Sequence, residues 1–166
     1  MKIVVDACTL ILLAKAGVLD EFVALFDAIV PQAVYDEVLA GKTKGAIDAL
    51  ISERLYQQQK LQVVMPKNIA LIKKCATDFG MGLGEAQVIV HSLSEHVGVV
   101  ATDNKQGRKA ARVHNLQTVG SIEIIVALYR LKKISLTKAH VAFEELQKSG
   151  WFHHALIEQA HEEVKP

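Results

Sequence analysis

Short apolar runs alternate with longer helical segments along most of this chain, and this alternation restricts the fold more than any other feature. The first run, 3–5, reads Ile-Val-Val, which is typical of a strand buried on both faces of a parallel sheet. Further strands are predicted at 28–30, 61–64, 98–101 and 117–119. Strands that alternate with helices favour a three-layer α/β/α sandwich whose central sheet has four or five mainly parallel strands.

The segments between these runs have the periodicity and the end signals of helices. Asp20 and Ser121 are predicted N-caps, because their side chains can accept a hydrogen bond from a first-turn N–H. Gly80, Gly82 and Gly84 are predicted to form a flexible lead into a helix. The predicted helices span 10–15, 20–26, 32–39, 45–58, 68–79, 85–95, the segment from 103 to about 114, 121–131, 135–148 and a last segment that begins at Trp151.

The composition is that of a globular protein. Of the 166 residues, 51% are hydrophobic and 22% charged, so the chain can bury a sizeable core. Because no repeat or linker is visible, we expect a single domain over 1–166, with 135–166 as a C-terminal helical extension. No apolar run approaches the ~20 residues of a membrane helix, and Asp6 interrupts the apolar start that a signal peptide requires. The sequence therefore predicts a cytoplasmic protein that does not bind a membrane.

The cysteines and histidines point away from a soft-metal or disulfide-based protein. Cys8 and Cys75 are the two cysteines, which are too few for a disulfide framework and match no zinc-knuckle spacing. Cys8 stands in an apolar run and is predicted to be a small buried residue. The seven histidines show no zinc-ligand spacing either.

Four acidic residues stand where an open parallel sheet forms its sites. Asp6 and Asp103 directly follow predicted strands, so their carboxylates are expected outside the carboxyl ends of the sheet. Glu37 lies on the helix after the second strand, and Glu85 begins the helix after the glycine-rich lead. If the four converge, their like charges require a cation, and oxygen-only ligands favour Mg²⁺ or Mn²⁺. Such a centre can hydrolyse a phosphodiester.

Each of these residues also has an ordinary structural interpretation. An Asp after a strand often caps the next helix. Glu85 in a first turn suits the helix dipole without any metal, and Glu37 can be a solvent-facing residue. The chemical hypothesis therefore depends on the set of four and not on any one of them.

The motifs around these acids resemble a known family. Their order and spacing over about 1–135 resemble PIN domains, most closely the prokaryotic branch near VapC-type toxin ribonucleases. The matching segments are Val5-Asp6-Ala7-Cys8-Thr9-Leu10-Ile11, Val30-Pro31-Gln32-Ala33-Val34-Tyr35-Asp36-Glu37-Val38, Gly82-Leu83-Gly84-Glu85-Ala86-Gln87, Val99-Val100-Ala101-Thr102-Asp103, Arg108-Lys109-Ala110-Ala111 and Val119-Gly120-Ser121.

The resemblance implies a PIN-like α/β/α fold and hydrolysis of RNA with Mg²⁺ or Mn²⁺. It also implies a homodimer and a toxin neutralised by a small antitoxin protein. It carries the catalytic and metal-binding quartet of the family onto Asp6, Glu37, Glu85 and Asp103, and the polar positions that line the site onto Thr9 and Thr102. The chain departs from many relatives at Asn104, which can offer a carbonyl oxygen but no charge.

A basic cluster follows Asp103 on the next predicted helix. Its members share one helical face, and they are Lys105, Arg108, Lys109 and Arg112. This face is either an ordinary solvated one or a local contact for RNA phosphates. The net charge of +1 gives no overall basic excess, so a chain of this composition that binds RNA must rely on such local contacts or on a bound metal.

The sequence leaves three functional hypotheses. The first is a metal-dependent endoribonuclease. The second is a catalytically weak or inactive PIN module that acts by protein–protein contact or RNA binding, for which Asn104 and the C-terminal helix leave room. The third is a response-regulator-like phosphoacceptor, which also uses acids at strand ends but needs a lysine near the end of the final strand that this chain lacks.

Overall fold

The sheet places one strand at its centre with pairing on both edges. The computed structural model describes residues 1–150 and 152–165. Its strands are β1 (Lys2–Val5), β2 (Asp27–Pro31), β3 (Leu61–Val64), β4 (Val99–Ala101) and β5 (Gln117–Val119). They lie in the order β3-β2-β1-β4-β5, and every adjacent pair is parallel. The predicted fold class is therefore confirmed, and all five carboxyl ends meet at one edge.

Helices connect these strands and cover both faces of the sheet. They are α1 (Ala7–Lys15), α2 (Leu19–Leu25), α3 (Gln32–Ala40), α4 (Ile47–Gln57), α5 (Ile69–Phe79), α6 (Leu83–Ser94), α7 (Lys105–Val113), α8 (Ser121–Arg130), α9 (Leu136–Ser149) and α10 (His154–Glu163), with a 3₁₀ turn at Gly41–Lys44. Within residues 1–150 and 152–165, none of them is long and apolar enough to cross a bilayer.

Two predicted helix caps are wrong. Val18 is the N-cap of α2, and Asp20 lies inside its first turn. Gly120 is the N-cap of α8, and Ser121 is its first helical residue. In both helices the acidic residues of the first turn supply the favourable interaction with the helix dipole that the cap was expected to supply.

Several other element ends differ from the prediction. The fourth helix begins at Ile47, after the 3₁₀ turn, and not at Gly45. The helix predicted from Glu85 begins two residues earlier at Leu83, so Gly84 lies in its first turn and not in a flexible lead. The last helix begins at His154, and Trp151, its predicted start, lies outside the described residues.

The main core fills both faces of the sheet. Ile3, Val4 and Val5 are almost fully buried on successive positions, as expected for a strand that is covered on both sides. Phe143 of α9 and Ile157 of α10 belong to the same cluster of buried residues. The C-terminal helices therefore pack directly onto the layer that supports the sheet.

Candidate active site

The end of β1 brings Asp6 to the carboxyl edge of the sheet. Its N–H donates to the carbonyl of Ala101 in β4 at 3.0 Å, which fixes the backbone on which the side chain stands. Oδ1 accepts from the Thr9 N–H at 2.7 Å and caps α1. Oδ2 is buried and accepts no hydrogen bond of normal geometry among the described residues, although the Thr102 side chain lies near enough to lower the pKa of the carboxyl. Burying a carboxylate oxygen that gains no hydrogen bond destabilises the folded state, because the oxygen loses its hydration without any compensating interaction.

Burial also shifts the titration of Asp6. It raises the pKa of this carboxyl from 3.8 to about 6, against the opposing effects of the Thr102 side chain and of the N–H and hydroxyl of Thr9. The charge of Asp103 adds a smaller increase. A nearby cation would hold Asp6 ionised at neutral pH and would relieve this cost.

Asp103 follows β4 and lies against the beginning of α8. Only 6% of its side chain is exposed. The Ser121 N–H donates to both carboxylate oxygens at 3.1 Å, and the Thr9 hydroxyl donates to Oδ2 at 3.0 Å. Burial raises the pKa of Asp103, while Ser121, Thr9 and the nearby Arg108 act in the opposite direction. Thr9 thus connects the two aspartates, and the amino end of α8 favours the charged form of Asp103.

A glycine makes the contact between Asp103 and α8 possible. A Cβ added at Gly120 would lie 2.6 Å from Asp103 Oδ1 and 2.8 Å from Glu123 Oε2, and it would also collide with the guanidinium of Arg108. Real Cβ atoms essentially never approach other atoms so closely. Gly120 is therefore a positioning residue that was not recognised from the sequence, although it stands in one of the matched motifs.

The two glutamates lie on helices that border the same edge. Glu85, in the first turn of α6, accepts a hydrogen bond from the Gly82 N–H at 2.9 Å through Oε2. Glu37 is an exposed residue of α3. Loss of solvent around its carboxyl raises the pKa of Glu37, and the charge of Glu85 raises it further. The two carboxylates are thus close enough to influence each other.

Close packing of α3 against α6 determines the relative position of Glu37 and Glu85. Gln87 accepts a hydrogen bond from the Ala33 N–H at 3.0 Å and so satisfies a free donor at the beginning of α3. A Cβ at Gly84 would lie 3.3 Å from Val34 and 3.4 Å from Glu37. Gly84 and Gln87 belong to one motif, but their packing role became visible only when the partner helix was known.

Cys8 shows that all four acids face one region. Cys8 is exposed, so the prediction that it is buried was wrong; the apolar run around it did not reveal which face of α1 it occupies. The pKa of its thiol rises to about 12, first through loss of solvent around the sulfur and then through the charges of Asp6, Asp103, Glu85 and Glu37. Such a thiol is unreactive at neutral pH. Its surroundings are those of a strongly acidic cleft.

Two adjoining clefts contain these side chains. Asp6, Glu37 and Glu85 line a cleft of about 260 Å³, together with Cys8 and Asn104. Glu37 and Asp103 line a second cleft of about 640 Å³, which Cys8 and Asn104 also border. The structure therefore brings the predicted quartet to one edge of the sheet.

The four acidic side chains lie at the same edge of the sheet, but they do not converge on one metal-binding centre in this structure. Among residues 1–150 and 152–165, no three His, Cys, Asp or Glu side chains stand at metal-binding distances from a common centre. Glu85 folds back onto its own helix, and Asp103 is engaged by α8. The donor set still fits a hard divalent cation, because every donor is an oxygen and Asp6 Oδ2 is buried without a partner.

Comparison with known proteins agrees with this arrangement. The sequence model of a family described as a PIN domain matches residues 2–165. The chain belongs to the PIN-domain family. PIN domains are generally nucleases and usually use divalent metals. The crystal structure of PAE2754 from Pyrobaculum aerophilum is similar in fold, with a TM-score of 0.54, 15% identity, and coverage of 81% of this chain and 100% of that chain. No curated protein matches the chain.

Asn104 has a structural role in this PIN domain. Its Oδ1 accepts from the N–H groups of Gln106 at 2.7 Å and Gly107 at 3.3 Å, so its carbonyl caps α7. Its own N–H donates to the Thr102 hydroxyl at 3.2 Å. Because the carbonyl is engaged by the backbone, the amide NH₂ is the group of Asn104 that is free to act as a donor toward the clefts.

The predicted basic face of this PIN domain divides into two parts. Arg108 turns toward carboxylates, with its guanidinium 3.9 Å from Asp103 and 3.7 Å from Glu123. Lys105, Lys109 and Arg112 are exposed, and Lys105 also borders the larger cleft. Arg108 is thus placed to offset the charge of Asp103, while the other three face solvent.

Proposed function

We propose that this PIN domain is an endoribonuclease that hydrolyses RNA with Mg²⁺ or Mn²⁺ at the acidic edge of its sheet. The observation that carries the proposal is the unpartnered, buried Oδ2 of Asp6 in a cleft lined by other carboxylates. An isolated structural carboxylate normally has its hydrogen bonds satisfied. A divalent cation bound beside this oxygen would supply the missing partner, and the neighbouring carboxylates would share its charge.

Asp6, Glu37, Glu85 and Asp103 are the residues that would hold the metal. A divalent ion there would stabilise the charge that develops on the phosphate and activate a water molecule. The Thr9 hydroxyl and the Ser121 N–H at the amino end of α8 both donate to Asp103 and so favour its ionised form, against the opposing effect of burial. The exposed Lys105, Lys109 and Arg112 supply contacts for RNA phosphates, which position the strand without selecting a sequence.

The proposed setting is that of a VapC-like toxin, with a small antitoxin as partner and a homodimer as the assembly. The motifs around Asp6, Glu37, Glu85 and Asp103 support this setting. We also propose that 1–166 form one domain with 135–166 as its helical extension. The burial of Phe143 and Ile157 in the main core supports the domain assignment.

A cleavage assay tests the proposal. A pool of structured and single-stranded RNA is incubated with the wild type, with Mn²⁺ or with EDTA, and with Asp6→Asn. Asp36→Asn is the matched control, since Asp36 is an exposed neighbour of Glu37 whose side chain accepts a hydrogen bond from Gln32 of its own helix. We expect cleavage that needs Mn²⁺, survives in Asp36→Asn and falls at least about a hundredfold in Asp6→Asn, as for loss of a group that stabilises transition-state charge.

The contrary outcomes are distinct. Unchanged cleavage by folded Asp6→Asn would overturn the assigned site. The second candidate is an inactive PIN module that acts by binding, which Asn104 and the open arrangement of the quartet favour. A wild type that binds RNA, cuts none of the pool and takes up no Mn²⁺ would establish that candidate instead.

A further inference from the structure

The larger cleft beside the carboxylates has a wall that hydrolysis of a phosphate does not require. Ile11 and Leu12 of α1 and the ring of Phe152 form an apolar side, and Asn104, Lys105 and Gln106 form a polar rim at the beginning of α7. Asp103 and Glu37 also line this cleft. An open apolar surface directly beside charged residues calls for an occupant with both an apolar face and polar edges.

A glycine allows the ring of Phe152 to stand in this wall. A Cβ at Gly150 would lie 2.5 Å from Cε2 and 2.7 Å from Cδ2 of Phe152. The ring therefore lies directly against the backbone that follows α9, which no larger residue at position 150 permits. Phe152 also borders a third cleft, which again contains Asp103. The ring thus lies between two clefts that both lead to the same carboxylate.

We propose that this cleft takes one unpaired nucleobase of the RNA, stacked on Phe152, while the adjacent phosphate lies at the acidic quartet. The inference rests on the proposed function, because the phosphate is what brings RNA to this edge. Cys8, Glu37 and Asn104 border both the larger and the smaller cleft. A base adjacent to a phosphate bound at the acidic residues can therefore enter the larger cleft.

The chemistry of the rim suits a base better than it suits a polypeptide side chain. Every base offers a flat apolar face, and aromatic stacking on a protein is tolerant of its identity. Because the Asn104 carbonyl caps α7, its NH₂ group remains to donate a hydrogen bond to an acceptor on the edge of a base. The Gln106 side chain offers both a donor and an acceptor. Lys105 can meet the next phosphate.

The strand that binds must be single. In a duplex the base faces are covered by stacking, and the edges of A-form RNA are hard to reach. The acidic edge with its aromatic wall therefore selects unpaired RNA, and Phe152 contributes to affinity for any base and not to a sequence code.

Binding of a fluorescent RNA tests this inference without any need for cleavage. The probes are a short mixed-sequence single strand, an abasic strand of the same length and charge, and the annealed duplex, each with Ca²⁺ as the divalent cation. The proteins are the wild type, Phe152→Leu and Phe152→Tyr. Phe26→Leu is the control, because Phe26 is also half-buried but lies next to the amino end of β2, away from the clefts.

We expect Phe152→Leu to bind the single strand about tenfold more weakly, within the usual range for loss of one base stack. Phe152→Tyr and Phe26→Leu should bind as the wild type does. The abasic strand should bind the wild type and Phe152→Leu equally weakly, because without bases the ring has no partner. The duplex should bind all variants weakly.

Three results would overturn the inference. One is equal affinity of the wild type and Phe152→Leu for the single strand, which would leave the cleft to a protein partner. Another is an equal loss by Phe152→Leu on the abasic strand, which would mean a merely structural role for the ring. A third is no binding of single-stranded RNA by the wild type. The nuclease proposal is tested separately, since normal cleavage by Phe152→Leu would leave it intact.

Discussion

The two aspartates of the acidic edge differ from the two glutamates in how the fold holds them. Asp6 and Asp103 follow the neighbouring strands β1 and β4, their side chains are almost fully buried, and both accept hydrogen bonds from backbone N–H groups. Glu37 and Glu85 stand on helices, and they are exposed or half-buried. We infer that Asp6 and Asp103 form a rigid anionic floor on the sheet, while Glu37 and Glu85 on the helices would rotate to complete the proposed metal site.

The largest expected effect separates these two classes by activity. Asp103→Asn should lower metal-dependent cleavage by about a hundredfold to a thousandfold. The variant loses a negative charge, held in place by the fold, that would bind the cation which stabilises the transition state. Glu85→Gln should lower it by much less, about tenfold, because its neighbours can adjust. The comparison is made with initial cleavage rates at saturating Mn²⁺, with folding checked by thermal unfolding. Equal losses of cleavage rate in the two variants would contradict the distinction between fixed aspartates on the sheet and movable glutamates on the helices.

The next effect is on stability as a function of pH, in EDTA. The pKa of Asp6 is about 6 in the folded protein and 3.8 ordinarily, so between these values the folded state binds more protons than the unfolded state. The contribution of Asp6 to the free energy of unfolding therefore falls as pH rises from about 4 to about 6, and it stays lower above that window. The contribution of Asp6 is on the order of 3 kcal/mol.

Denaturant unfolding of the wild type and Asp6→Asn at pH 4, 5, 6 and 7 checks this sign. Asn cannot ionise, so the stability of the variant relative to the wild type should grow through that window. A constant difference between the two proteins would show that Asp6 titrates normally. The exposed Asp36→Asn should give no such change and serves as the control.

A smaller effect is expected where the fold supports the floor. Gly120→Ala introduces a Cβ into the space between Asp103, Glu123 and Arg108. The ends of Glu123 and Arg108 can move aside, but Asp103 is held by Ser121, so we expect a cost of about 1 kcal/mol, at the low end for overpacking. Because Asp103 must move, cleavage should fall together with stability. Gly98→Ala is the matched control, since nothing lies within 4 Å of a Cβ at that position. A Gly120→Ala protein of unchanged stability and activity would show that the close approach is not needed.

The positions of the two aspartates of the floor were largely predictable from the sequence, but the residues that hold Asp103 in place were not. Asp6 and Asp103 end β-branched runs, and a parallel sheet brings such ends together whatever the helices do. The contact between Asp103 and Ser121 depends on how the turn after β5 meets β4, and no local pattern around either residue shows it. Ser121 is the first helical residue of α8 and not its cap, and its N–H donates to the distant Asp103.

The same distinction explains the errors at the rim of the clefts. An apolar run predicts a buried helix face, but it does not show that one position of the run faces a cleft, as Cys8 does. The role of Gly84 arises from the approach of α3 to α6, which the sequence of α6 alone does not contain. Motif recognition included both positions without explaining either.

The central claim is that the four carboxylates form a divalent-cation site, and calorimetric titration with Mn²⁺ tests it most directly. The wild type should bind Mn²⁺ saturably at neutral pH, Glu85→Gln should bind it more weakly, and Asp6→Asn should show no saturable binding. Asp36→Asn should bind as the wild type does. A folded wild type without saturable Mn²⁺ binding, or an Asp6→Asn variant with wild-type affinity, would contradict the account.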